Sequence, residues 1–240
     1  MQLAPSLHRI GSDYVNVYLV ADETGVTVVD AGLSGLWKEF LAELLAMGRE
    51  LADVRAVLLT HGDSDHLGFA ERLRREHGVP VYVHGGDAAR ARGEEKTSPS
   101  WGKVKVGPLL RFLTYAGLRG GLRTRFVTEL RELEGGEELE LPGRPRVIPI
   151  PGHSPGSVAY HFASVKAVCV GDALTTGHVL TGEQGPQPAP FTDDPVLALE
   201  SLSNIESLDA TWVLPGHGPP WSGGAAEAVR RVREAAAQAK

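Results

Sequence analysis

Four times along this chain an apolar, strand-like run ends in a glycine- or proline-bearing loop that carries a histidine or an aspartate. The first is Leu58-Leu59-Thr60-His61-Gly62-Asp63-Ser64-Asp65-His66-Leu67-Gly68, where four potential metal ligands precede a helix. The others are Pro151-Gly152-His153-Ser154, Gly171-Asp172 and Pro215-Gly216-His217-Gly218. Strand ends that open into tight loops are where distant segments meet around a site. Any fold that suits this chain must therefore gather four such ends in one place. The first segment alone also admits a plain reading, an aspartate capping a helix beside surface histidines; the other three weigh against it.

The pattern around these loops alternates strands and helices, twice over. Strands are predicted over 14–21 and 26–30, joined by Asp-Glu-Thr-Gly, a hairpin signal. Apolar residues at helical spacing (Leu36, Phe40, Leu44, Met47) predict a helix that stops at Gly48. A strand over 54–60, a helix over 66–77 and a strand over 79–84 follow. The second block repeats the mixture, with strands over 147–150, 158–162, 167–170 and 211–214. Its helices are expected over 194–208 and 224–238. Two packed sheets with helices outside them satisfy this order. A doubly wound parallel sheet is the alternative, and the early hairpin counts against it.

Between the blocks, residues 93–136 differ in character. They hold Lys96, Lys103, Lys105, Arg111, Arg119, Arg123 and Arg125, with no acid between Lys96 and Thr128. We read the stretch as a lid inserted into a single domain spanning 1–240. Trp101, Phe112 and Tyr115 are candidates to line a pocket there, and the basic residues to hold an anionic substrate; a solvated charged surface is the plainer reading.

Composition narrows the function classes. A single cysteine, Cys169, excludes an intramolecular disulfide and a cysteine metal cage, and its Ala-Val-Cys-Val setting suits a small core residue. The net charge of −6 argues against a general nucleic-acid binder, and no apolar run approaches a membrane span. The first residues lack a signal peptide's apolar run, so a cytoplasmic protein acting on a small molecule is expected. There is no Gly-x-Ser-x-Gly nucleophile elbow and no Gly-x-x-x-x-Gly-Lys phosphate loop. Water is the expected nucleophile.

The order His-x-x-x-Asp-His, Gly-His, Gly-Asp, Gly-His resembles the metallo-β-lactamase fold superfamily, in its glyoxalase II-like branch. So do Val28-Val29-Asp30-Ala31-Gly32 and Leu214-Pro215-Gly216-His217-Gly218. The resemblance runs from about Leu7 to the terminal helix and leaves only 93–136 unanchored. It implies an α+β fold, a four-layer αββα sandwich with a dinuclear metal site at one edge of the sheets. Carried over residue by residue, one ion takes His61, Asp63 and His153, the other takes Asp65, His66 and His217, and Asp172 bridges them. The implied cofactor is two divalent cations, zinc first, with iron or manganese close behind.

One departure stands out: the superfamily usually has a second histidine where this chain has Asp63. A third carboxylate beside Asp65 and Asp172 adds negative charge and a hard oxygen ligand, which suits iron or manganese better than a histidine does. The expected reaction is hydrolysis of a small ester, lactone, thioester or amide, with Asp65 orienting the water or passing a proton to the leaving group. The rivals are a diiron redox or oxygen-reducing module, a phosphodiester hydrolase, and a sensor that keeps the fold with weak catalysis. Asp30 is expected to bond loop amides after its strand. His8, His77, His84, His161 and His178 are expected outside the site.

Overall fold

The computed structural model describes residues 1–95 and 101–238; Lys96, counted above among the basic residues, lies outside them. The strands β1 (Gln2–Ala4), β2 (Leu7–Ser12), β3 (Val15–Asp22), β4 (Gly25–Val29), β5 (Val54–Leu58), β6 (Val81–His84) and β7 (Arg131–Leu133) form one sheet in that order. Pairing is antiparallel from β1 to β4 and parallel from β4 to β7. Helices α1 (Trp37–Ala46), α2 (Ser64–Leu67), α3 (Ala70–His77) and α4 (Ala88–Ala91) fall between these strands. The helix α5 (Val106–Leu118) precedes β7.

The second sheet begins with β8 (Arg146–Pro149), β9 (Val158–Phe162) and β10 (Ala167–Gly171). A two-stranded ribbon, β11 (Thr175–Gly177) and β12 (Gln184–Gln187), then leads to α6 (Pro195–Ser201) and α7 (Ser203–Glu206). The strand β13 (Trp212–Pro215) completes the sheet in the order β13-β10-β9-β8, and α8 (Ala225–Gln238) ends the described chain.

Side-chain alternation along the strands, period two, makes the layers. Val15, Val17 and Leu19 of β3 face outward into a cluster with Phe40 and Leu44 of α1 and Leu73 of α3. Tyr18 and Val20 face inward, against Tyr160, Phe162, Cys169 and Leu214 of the second sheet. Val168, Val170 and Val213 point the other way, onto Ile205 of α7 and Val229 and Val232 of α8. Three apolar layers between helix, sheet, sheet and helix make an αββα sandwich. Cys169 is buried in the middle layer. None of the described helices is long and apolar enough to cross a membrane.

Two helices depart from the sequence expectation. The one predicted over 66–77 breaks at Gly68, because the backbone there lies against the 31–33 turn. A Cβ at Gly68 would sit 2.3 Å from the Gly32 carbonyl oxygen, and the Gly68 amide donates to that same oxygen. The helix predicted over 194–208 is two short ones. Ser201 and Ser203 donate back to the carbonyls of Ala198 and Glu200 at the break, a contact that bends helices.

The stretch 93–136 also needs a narrower boundary. Residues 131–133 are β7, an edge strand paired with β6, so the part standing clear of the sheets ends near 130. Its helix α5 has no fully buried residue. It is tied down at both ends, by the Lys105 amide on the Leu180 carbonyl and the Gly35 amide on the Arg119 carbonyl.

Candidate metal centre

β4 and β5 are parallel neighbours, as are β10 and β13, so the residues that follow them emerge together at one edge of each sheet. Hydrogen bonds between the sheets hold the two edges in register. The Val158 amide donates to the Thr60 carbonyl (2.9 Å), the Asn16 amide to Gly216 (2.9 Å) and the Tyr160 hydroxyl to Leu59 (2.8 Å). The buried Asn16 side chain adds bonds to the carbonyls of Pro215 and Gly218. The site is therefore built where the sandwich is stitched.

All seven residues singled out in the sequence come together at this edge. His61, Asp63 and His153 place ligand atoms within 4.8 Å of one another; so do His61, His66 and Asp172, and so do Asp65, His66 and His217. Asp172 reaches both halves, with Oδ1 3.6 Å from His66 Nε2 and Oδ2 3.0 Å from His217 Nε2 and 3.9 Å from His153 Nε2. Asp63 Oδ2 lies 3.3 Å from His153 Nε2 and 3.6 Å from His61 Nε2. Asp65 Oδ2 is 3.4 Å from His217 Nε2. Gly216 is required here: a Cβ on it would meet Asp172 Oδ1 at 2.3 Å.

The four histidines share one tautomer, set by what each Nδ1 touches. His66 Nδ1 donates to Asp30 Oδ2 (2.9 Å) and His217 Nδ1 to the Tyr14 carbonyl, neither of which can donate back. His61 Nδ1 meets Thr60 Oγ1 (3.0 Å), whose hydroxyl is donated to Asp30. His153 Nδ1 meets Thr192 Oγ1 (3.3 Å), whose hydroxyl goes to the Ala189 carbonyl. Each Nδ1 thus carries a proton, and each Nε2 faces the centre. Such outer hydrogen bonds orient imidazole ligands in metal sites.

Whether a cation fits can be read from what is left unsatisfied. His61 Nε2, His66 Nε2 and Asp172 Oδ1 are buried and make no hydrogen bond, an arrangement that is costly in the absence of a partner. These atoms belong to a mutually close set of nitrogen and oxygen donors, the chemistry of a divalent cation. The electrostatics agree. Burial opposes a charge on His66, yet the Asp30 and Asp172 carboxylates outweigh it and push its pKa up to about 10. His217 rises to about 9 against burial, chiefly through Asp172. His61 moves the other way, held well down by burial and by His66 and His153. Burial would raise Asp172 and Asp63, but the neighbouring histidines, joined for Asp63 by Arg90, hold both below the usual carboxylate range. The carboxylates call for positive charge at the centre, and protons on two histidines are a substitute for it.

Sequence reading missed the residues that hold the loops. Asp87, fully buried after Gly85-Gly86, accepts from the Gly62 amide, the Ser154 hydroxyl and the Gly156 amide, each at 2.7 Å. It ties the first histidine loop to the second. Arg90, also buried, sets Nη1 3.3 Å from Asp63 Oδ1 and Nη2 on Asp193. Its guanidinium offsets the charge that Asp63 brings in place of a histidine, so the extra carboxylate does not reach the centre uncompensated. Asp30 does accept the expected loop amide, that of Thr60 (2.8 Å), and it holds His66 as well. His8, His77, His84, His161 and His178 are not members of these donor groups.

A sequence profile described as the metallo-beta-lactamase superfamily matches residues 10–217. The chain is 27% identical over 234 residues to the probable metallo-hydrolase YflN of Bacillus subtilis strain 168, covering 92% of this chain and 87% of that one. Among solved structures it is similar to a metallo-beta-lactamase family protein of Thermus thermophilus, with a TM-score of 0.71 and 25% identity over 99% of this chain and 81% of that one. It is also similar to TTHA1623, solved in a di-iron-bound form, with a TM-score of 0.61 and 29% identity over 90% of this chain and 93% of that one.

Proposed function

The chain belongs to the metallo-β-lactamase superfamily and is a metal-dependent hydrolase, and from that premise we propose that it cleaves a small ester, lactone, thioester or amide with the help of two divalent cations. The observation that carries this reading is the set of buried, unpartnered donor atoms on His61, His66 and Asp172. One cation would be held by His61, Asp63 and His153, the other by Asp65, His66 and His217, with Asp172 shared. When bound, such a pair supplies Lewis acidity, which acidifies water and polarises the bond to be broken.

The chain's own groups do the rest. The Nδ1 partners of the four histidines fix each ring with its Nε2 aimed inward. Asp65, about a quarter exposed at 23% and bordering the cavity above the cluster, is positioned to orient the attacking water and to carry its proton to the leaving group. Phe112 and Leu113 of α5 border the same cavity and limit the access of bulk water.

We take zinc as the first candidate. Asp63 keeps iron and manganese close behind, in accord with the di-iron form of the similar protein TTHA1623. It is also the observation that favours a second reading, a diiron redox module. Elemental analysis of protein expressed without added metal tests the metal reading, and fewer than about one ion per chain defeats it. Screening esters, lactones, thioesters, phosphodiesters and β-lactams against the wild type and Asp172→Ala tests the reaction. Activity that survives in the variant excludes this centre. An anaerobic redox titration of the iron-loaded protein separates the second reading.

A further inference from the structure

The cavity above the cluster is two-faced. It measures about 410 Å3, within the range of small-molecule sites. Its floor is Asp63, Asp65, His153, Asp172 and His217; its walls are mostly apolar, with Leu113, Phe112, Leu122, Phe126, Phe191 and Leu33, and also carry Arg90 and Glu95. Phe112 stands edge-on to the His217 ring, 6.1 Å between centroids. A larger cavity of about 720 Å3 near Pro5 and Arg49 contains none of the cluster.

Two further observations separate these walls from ordinary core. Leu113, Leu122 and Phe126 are 51%, 88% and 43% exposed, so they offer apolar surface that the fold itself does not use. Phe191 has a φ of 59°, a conformation that a bulky residue adopts only where its surroundings impose it. The neighbouring Thr192 and Asp193 are fixed by His153 and Arg90. Phe191 is thus pinned to the lip of the site, edge-on to Trp101 at 5.3 Å.

None of the described basic residues of the lid lines this cavity. Lys105 pairs with Glu183 and Arg119 with Glu39; Arg111 borders a shallow depression with Tyr14, and Arg125 a separate one with Glu76. Among the described residues the one cation that lines the cavity is Arg90, already paired with Asp63 and Asp193.

We propose that the substrate carries an uncharged apolar chain, an acyl or alkyl group lying between α5 and Phe191, with its scissile carbonyl over the histidine–aspartate floor. This rests on the hydrolytic reading above and departs from the anionic substrate expected from the lid's charges. Each methylene taken up by the walls strengthens binding by up to about fourfold.

The test has two arms on the full-length, metal-loaded protein. In the first, p-nitrophenyl esters from acetyl to decanoyl, with the ω-carboxylate glutaryl ester as a charged comparison, are assayed for kcat/KM. We expect a rise of about two- to fourfold per methylene until the cavity is filled, the glutaryl ester falling well below the hexanoyl. A flat series, or a preference for glutaryl, overturns the proposal. In the second, binding of 2-undecanone and of 2-butanone, neither of which can be hydrolysed, is measured by calorimetry. The longer ketone should bind at least tenfold tighter, and Leu113→Asp should abolish that difference. Should Leu113→Asp fail to fold, Leu122→Asp, at a more exposed position, should still reduce it. Equal binding of the two ketones overturns the apolar-chain proposal even where esters are hydrolysed. Selective binding without hydrolysis of any ester overturns the hydrolytic reading and leaves the cavity's preference standing.

Discussion

The floor and the roof of this site are built by opposite means. On the floor every imidazole has its Nδ1 held by a named partner, and Asp30 and Asp87 each accept three hydrogen bonds from neighbouring segments. On the roof, α5 buries no residue completely and leaves Val106, Leu110, Leu113 and Leu118 more than half exposed. Metal chemistry tolerates little misplacement and needs hydrogen bonds to fix direction. An apolar wall needs only area, which has no direction. The contrast explains why one region is over-determined and the other is sparsely packed.

The largest effect that would break this contrast is expected at the shared carboxylate. Asp172→Ala should lower kcat/KM on the order of a thousandfold or more and reduce the metal content measured in the same preparation. Next comes Asp87→Ala, which strands the Gly62 and Gly156 amides in a buried position and leaves the Ser154 hydroxyl only Ser157 as a partner. A loss of about 3–5 kcal/mol of stability is expected in urea unfolding; a cost under about 1 kcal/mol would mean that the loops are held by something else. Asp30→Asn keeps the size but removes one acceptor oxygen, so Thr60 and His66 must compete for the other. Metal affinity by chelator competition should fall about 10- to 100-fold.

His66 and His217 titrate near 10 and 9 in the metal-free site, above the ordinary 6.5. Both bind protons more tightly folded than unfolded, so their contribution to metal-free stability is complete below about 6.5 and is lost as pH rises through about 9 to 10. In the proposed centre a bound cation would replace those protons. The gain in Tm on metal addition should therefore be larger at pH 9.5 than at pH 7, read by thermal scans with and without chelator. A gain that shrinks with pH would show that protons do not occupy the cation's place. The smallest effect belongs to the roof. Leu122→Ser, at a residue 88% exposed, should change stability by no more than about 0.5 kcal/mol.

The same division governs what the sequence makes legible. The seven clustered residues were readable because each lies in a loop that follows an apolar run and carries glycine or proline, a local signal that needs no knowledge of the fold. The middle strands of both sheets were readable from their β-branched content. Strands β1, β7, β11 and β12 were not, being three or four residues long and held by their neighbours more than by their own pattern; β2, Leu-His-Arg-Ile-Gly-Ser, was missed too, having one β-branched residue in six. Asp87, Arg90, Asn16 and Thr192 were missed for a related reason: each acts on a partner distant in sequence, and nothing adjacent to it announces that partner. The Gly85-Gly86 pair before Asp87 is the one local hint, a backbone bend just past a strand end. Where the lid's charges lie was not legible, because composition reports how many cations a segment holds but not where they point.

The donor set is divided between the two sheets: His61, Asp63, Asp65 and His66 follow β5, while His153, Asp172 and His217 come from the later half. During synthesis, the early ligands emerge well before the late ones exist. A growing chain can offer an ion only a partial grip, and a tight hold must wait until His217 has reached its place beside Tyr14. If the proposed ligand set holds the metal, a chain stalled or misfolded in its second half should emerge without it.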